Sequence, residues 1–297
     1  MINFIKKRRL WYSISGLFIA IGVAGMFNNL NQMGHVFNLG IDFTGGTSLI
    51  IRFEKPSVNI ESSLRDILVG LSLDKHTIQS TGLNDIIIKT QNMDVEKRNA
   101  LFDQISSNIG AFDVLEVDII GPSIGDQLRT TSMVIILFVS IAILIYCSWR
   151  FELVFGIASI IALLHDTVVL LSFSALFQLE INTAYVAALL TVLGYSINDT
   201  IVIFDRIREK LRQQKDPTLW SKSVLNTAVN NTLARSIHTS ISTGLVVGAI
   251  YFFGGLSLKV FSAVLMMGLF VGTYSSLFIA SPMIITILKL RGATIDK

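Results

Sequence analysis

Six long apolar runs set the limits on what this chain can fold into. They lie at about Leu10 to Phe27, Thr131 to Cys147, Leu153 to Phe177, Thr183 to Phe204, Leu233 to Phe253 and Leu258 to Leu288. A helix rises about 1.5 Å per residue, so roughly 20 apolar residues cross a bilayer core of about 30 Å. A soluble core cannot absorb that much apolar surface: only 15% of the 297 residues are charged, against about 25% in ordinary soluble proteins, and mean hydropathy is +0.63. The predicted class is therefore membrane α-helical with six transmembrane helices. The first run follows Lys6, Lys7, Arg8 and Arg9 as a signal peptide would. It passes through Met26 and Phe27 into Asn28 and Asn29 without a small-residue cleavage pattern, so it is read as a retained helix.

Between the first two runs lies a polar segment, residues 28–130, long enough to fold as its own domain. Ser48 to Phe53 reads as a strand, and Asn59 to Val69 has a helical period with Ile60, Leu64, Ile67 and Leu68 on one face. Thr77 to Thr81 and Asp85 to Thr90 read as two strands joined by a turn at Gly82, Leu83 and Asn84. A helix over Val95 to Ser107 and a strand over Val114 to Ile120 complete the order βαββαβ, the split pattern of a ferredoxin-like α+β sandwich. His35 and His76 lack neighbours at ligand spacing. The Gly-rich stretch Gly40 to Thr47 lacks the Lys and the following helix of a phosphate loop, so it is predicted to be a tight turn at the head of a strand.

Lys and Arg in short flanking segments collect on the cytoplasmic side of a membrane. Lys6 to Arg9, Arg150, the segment Asp205 to Arg235 with seven basic residues, and Lys289 with Arg291 alternate with Gln178 to Asn182 and Gly254 to Ser257, which have none. Both termini, including the tail 291–297, are then cytoplasmic, and residues 28–130 form an extracytoplasmic domain. That domain holds thirteen acids against eight bases, which leaves the rest of the chain at +8. Topology and contact with an anionic lipid bilayer account for this excess, so no nucleic-acid partner is implied. Cys147 has no partner for a disulfide and no metal-ligand spacing.

An ionisable side chain inside the bilayer is costly and marks a functional position. Asp166 lies about midway along the third run. Asp199 lies in the fourth, six residues before Asp205 and so roughly 9 Å inside the boundary, and Arg235 begins the fifth. Thr191, Tyr195, Asn198 and Asp205 recur along one face of the fourth helix, with Asp199 beside them, and that face is expected to look inward. The fifth helix adds Thr239, Ser242 and Thr243. Burial pushes a carboxylate's pKa up and a neighbouring Arg pulls it down, so an Asp199 that alternately meets and leaves Arg235 loads and unloads a proton. A static pair joining two helices is the other reading. For Asp166 a hydrogen-bonding role, with His165 beside it, stands equally with a relay role. No Ser/His/Asp set, Walker motif or metal cluster is present in the sequence, so neither an enzyme nor a cofactor is expected.

Five segments carry a resemblance: GIDFTGGT at Gly40 to Thr47, GPSIGDQL at Gly121 to Leu128, LLHDTVVLLSF at Leu163 to Phe173, GYSINDTIVIFDRIRE at Gly194 to Glu209 and TLARSIHTS at Thr232 to Ser240. In that order, across nearly the whole chain, they resemble the SecF family of the resistance-nodulation-division superfamily. The resemblance implies pairing with SecD, whose six helices complete a twelve-helix unit. It also implies work beside the SecYEG channel on a translocating unfolded preprotein, driven by a proton gradient or, in some relatives, sodium. Asp199 and Arg235 fall at the positions that the family uses for its proton path. The competing expectations are a small-molecule or lipid exporter subunit of the same superfamily and a passive assembly factor of the translocon.

Overall fold

The structure is a computed structural model that describes residues 2–54, 60–80, 84–214, 220–292 and 295–296. It divides into two compact units, Leu39–Met133 and the remainder.

In the remainder, α1 (Arg8–Met33) begins the chain's helices. The small unit then runs α2 (Ile41–Thr44), β1 (Gly46–Phe53), α3 (Ile60–Gly70), β2 (His76–Ser80), β3 (Asp85–Thr90), α4 (Val95–Asn108) and β4 (Phe112–Ile120). Its sheet has the order β2-β3-β1-β4 with every adjacent pair antiparallel. Leu49, Ile51 and Phe53 alternate along β1 and pack with Ile86 and Ile88 against Leu64 and Leu68 of α3 and Leu101 and Ile105 of α4. The expected turn at Gly82, Leu83 and Asn84 lies mostly outside the described residues, as does Asn59.

The glycine pair in GIDFTGGT does what the sequence predicts. Gly45 (φ 70°) and Gly46 (φ 142°) turn the chain from α2 into β1 through backbone conformations that favour glycine. A Cβ on Gly46 would stand 2.5 Å from the Thr90 carbonyl oxygen. The sequence did not indicate that this turn packs against GPSIGDQL: a Cβ on Gly45 would lie 2.9 Å from Pro122 Cα, and one on Gly125 would lie 2.9 Å from the Gly45 nitrogen. On the same sheet, Asp118 is exposed, yet partial desolvation and then the neighbouring Glu116 and Asp42 hold its carboxyl above the usual range. The charged form is therefore disfavoured by folding. Asp118→Asn is expected to raise the unit's melting temperature at neutral pH, and the gain to shrink once pH falls below the folded pKa and to vanish below the unfolded one, where both states hold the proton.

The remaining helices are α5 (Pro122–Arg150), α6 (Leu153–Leu176), α7 (Thr183–Arg212) and α8 (Lys222–Phe253). The last span, Leu256–Leu290, is broken into a 3₁₀ turn, α9 (Lys259–Ser275), a π-helical turn at Ser276–Ala280 and α10 (Ser281–Leu290). With α1 and α5 to α8 this gives, among the described residues, six helices long and apolar enough to cross a membrane, at the six apolar runs. Several run further than the hydropathy. α1 continues past Phe27 to a left-handed cap at Gly34, α5 opens at Pro122, where a missing N–H is no loss, and most of the expected loop 205–235 is helical. There α7 runs to Arg212 and α8 begins at Lys222, because the Arg, Glu and Lys residues that leave lipid are good helix formers in water.

α7 packs against α6, α8 and α9, and α1 packs on α6. Small residues allow the approach: a Cβ on Gly268 would meet Val192 Cγ2 at 2.0 Å, and one on Gly272 would meet Ser196 Cβ at 3.0 Å. Gly268→Val is expected to push α9 off α7 and lower the bundle's melting temperature in detergent, whereas Gly248→Val, at a glycine with open space around it, is expected to change it little.

Candidate functional site

Two buried carboxylates lie among α6 to α9, Asp166 bonded to Ser196 of α7 and Asp199 three residues further along that helix. Asp166 on α6 is fully buried. Its Oδ2 accepts hydrogen bonds from Ser196 Oγ of α7 at 2.6 Å and Ser275 Oγ of α9 at 2.8 Å. Its Oδ1 lies 3.1 Å from His165 Nδ1. Three helices are thereby tied through one side chain. Just beyond Ser275 the helix widens into the π-helical turn, whose first residue, Ser276, shares a hydrogen bond with Thr200 of α7 at 2.8 Å and donates to the Ser196 carbonyl at 3.2 Å. Such turns recur at functional positions.

Asp199 is differently placed. It is 8% exposed, and its Oδ1 accepts from Ser236 Oγ of α8 at 2.6 Å. Its Oδ2 is buried without a hydrogen-bond partner. Arg235, next to Ser236 in the chain, is exposed and forms no ion pair with Asp199. The static-pair geometry is therefore not the one observed. Above Ser236 on the same face of α8, Ser240 Oγ donates to the Ser236 carbonyl at 2.8 Å, contacts Thr273 Oγ1 and lies 3.3 Å from Tyr195 OH. Asp199 thus stands at the foot of a hydroxyl cluster formed by α7, α8 and α9.

The polar face expected to look inward instead looks out of this chain. Thr191 and Asn198 of α7 are exposed and Tyr195 is half-buried; Arg235, Thr239 and Ser242 of α8 are exposed as well. Thr191 Oγ1 and Thr239 Oγ1 turn back to carbonyls of their own helices, those of Ala187 and Arg235, at 2.8 and 3.0 Å. Inward positions one residue round the helix carry the contacts, Ser196 and Ser236 among them. Ser236, Ser240, Ser275 and Ser276 were missed from sequence, although the i, i+4 repeat of Ser236 and Ser240 beside Arg235 was there to be read. Among the described residues no three His, Cys, Asp or Glu side chains stand close enough to hold a metal ion.

Two family models match. One, described as "Protein export membrane protein SecD/SecF, C-terminal", covers residues 101–290 and so contains Asp166, Asp199 and Arg235. The other, "SecD/SecF GG Motif", covers residues 34–57 and the Gly45–Gly46 turn. The curated relatives include the "Protein translocase subunit SecF" of Sebaldella termitidis, 35% identical over 95% of this chain and 91% of the relative, and that of Calditerrivibrio nitroreducens, 37% identical over 98% and 95%. The chain belongs to the SecF family. An accessory role in Sec protein translocation and a multi-pass membrane location come with that membership. A crystal structure of SecDF from Thermus thermophilus superimposes with a TM-score of 0.85 at 33% identity over 97% of this SecF chain, which spans 39% of the longer SecDF chain.

Proposed function

We propose that this SecF chain is half of a proton-driven helper of protein export, and that Asp199 carries the proton. The observation that supports this most strongly is the buried Asp199 Oδ2 without a partner, beside hydroxyls on one side and an exposed polar face on the other. An ionised carboxylate buried with an oxygen unpaired is costly, and either a proton or an approaching guanidinium relieves it. Arg235, on the neighbouring helix and held by no ion pair, is placed to be that guanidinium when α8 moves. Alternation between the two couples protonation to helix position, and each charge that crosses the field is worth about 2.3 kcal/mol per 100 mV. Asp166, saturated with hydrogen bonds, supports the path by holding α6, α7 and α9 in register. The coupling ion is taken to be the proton, with sodium as the alternative that the same carboxylate can serve. Apart from the O–H bond of the carried proton, no covalent bond is made or broken in this cycle, so the chain acts as an energy transducer and not as an enzyme, without a cofactor.

On this exposed face Thr191 and Thr239 answer to carbonyls of their own helices, but Asn198 and Arg235 cannot face lipid without loss, because polar groups in hydrocarbon lack partners. We assign this face to the helices of a SecD partner. The strand order and the two helices on one sheet face support a ferredoxin-like sandwich for residues 39–133. The basic flanks support cytoplasmic termini with that unit outside the membrane, where it works on preprotein leaving the SecYEG channel. A single-cysteine Thr239→Cys variant, with Cys147 replaced by Ser, tests the assembly. It is expected to cross-link to SecD in membranes. Exclusive labelling by a lipid-dissolved reagent, with no SecD adduct, contradicts the half-transporter reading.

A further inference from the structure

We propose that the end of the bundle formed by the α5–α6 turn and the last turns of α7 binds the phosphodiester head group of an anionic phospholipid. A cavity of about 480 Å³ opens there, lined by Arg150, Asp205, Arg208, Glu209, Arg212 and Gln213. Its two acids do not neutralise its three arginines. Glu209 is already engaged by Arg206, at 2.5 Å, and by Gln213, at 3.3 Å. Asp205 uses one oxygen, Oδ1, for both Arg150 (3.5 Å) and Arg208 (3.8 Å), beyond the 2.7–2.9 Å range typical of a charge-assisted hydrogen bond. Arg212 has no ion-pair partner among the described residues.

These guanidiniums are nonetheless held in place. Arg150 and Arg208 lie over the same buried ring, Phe151, at 5.1 and 5.4 Å from its centroid, and Arg208 Nη1 is 3.4 Å from the Arg150 carbonyl oxygen. Two pre-aligned forks with unused donors match the geometry of a phosphate's oxygens better than a single shared carboxylate oxygen does. The occupant is a lipid, and not free phosphate, because of what adjoins the arginines. α5 reaches Arg150 directly from its membrane-crossing stretch, and just before it Trp149 is 85% exposed and Tyr146 46% exposed, the amphipathic aromatics of a membrane boundary. Phe138, Ile141 and Ile145 of the same helix are exposed and offer an apolar track for acyl chains.

The test uses the full-length chain in phosphatidylcholine vesicles with increasing brominated phosphatidylglycerol, read by quenching of Trp149 fluorescence; a Trp149→Phe variant gives the background from the other two tryptophans. Phosphatidylglycerol is expected to be preferred over phosphatidylcholine by about tenfold, in keeping with one or two charge-assisted hydrogen bonds. The preference is expected to fall toward unity in Arg150→Gln/Arg208→Gln, and to weaken in Arg212→Gln, which touches no ion pair and so leaves folding alone. Equal quenching in the native chain and in these variants overturns the proposal. So does full recovery of fluorescence on adding inorganic phosphate, which would mark a site for soluble anions.

Discussion

Asp199→Asn is expected to leave SecD association and folding intact and to remove all of the export that depends on the proton gradient. The asparagine side chain has the same shape, and its carbonyl oxygen still accepts the Ser236 hydroxyl that Oδ1 accepts at 2.6 Å in the native chain. What it cannot do is titrate. A field of about 100 mV acting on one charge biases an equilibrium by about 2.3 kcal/mol, roughly fifty-fold, and that bias is available only to a side chain that changes charge during the cycle. Export into inverted vesicles, with and without a gradient, is expected to show two unequal rates for the native chain and equal rates for the variant. Arg235→Gln is expected to weaken the dependence too, because the proton then has no competitor for the carboxylate. A variant at Asp199 that exports as the native chain does would favour a passive assembly role.

Asp166 calls for the opposite expectation, a loss of stability greater than any loss of coupling. Asp166→Ala strands the Ser196 hydroxyl and the ring nitrogen of His165 around a new cavity at a fully buried point, while Ser275 falls back on the Gly272 carbonyl at 3.1 Å. Each orphaned buried polar group costs about 1–3 kcal/mol, so two of them cost roughly 2–6 kcal/mol and the three-helix junction loosens. Asp166→Asn keeps an acceptor, and serine hydroxyls can rotate to receive from its amide, so its cost is expected to stay near 1 kcal/mol. Thermal unfolding of the detergent-solubilised complex separates the two. Equal melting temperatures for the alanine and asparagine variants would mean that the network does not hold the junction.

How much of this was visible beforehand depends on what kind of signal each feature leaves in a sequence. Spans announce themselves by hydropathy, and the start of α7 at Thr183 and the end of α8 at Phe253 agree with the reading to the residue. Helix ends that leave lipid carry no such mark. Arg206 to Arg212 is polar yet helical, because hydropathy reports the solvent and not the backbone. Strand β3 at Asp85–Thr90 was legible from its Ile86, Ile87 and Ile88 run, but the packing of the Gly45 turn on Gly125 joins residues far apart in sequence and leaves no local trace.

The site was legible in its charges and not in its hydroxyls. Asp166 and Asp199 stand out because a carboxylate in an apolar run is expensive. Serines are cheap inside a membrane helix, since each can bond its own i−4 carbonyl, so Ser236, Ser240 and Ser275 gave little warning of their partners. The face of Thr191 and Asn198 is expected inward because it is polar, and in this chain by itself it is exposed. The proposed SecD partner supplies the cover that this chain does not.

Proton exchange at Asp199 can be observed directly by infrared difference spectroscopy of the reconstituted SecD complex, stepped between pH values and between applied potentials. A protonated-carboxyl band that appears and disappears with the step in the native protein, and is absent from Asp199→Asn, is the predicted result. The same band persisting unchanged in Asp199→Asn, or no carboxyl band responding in the native complex, would contradict it.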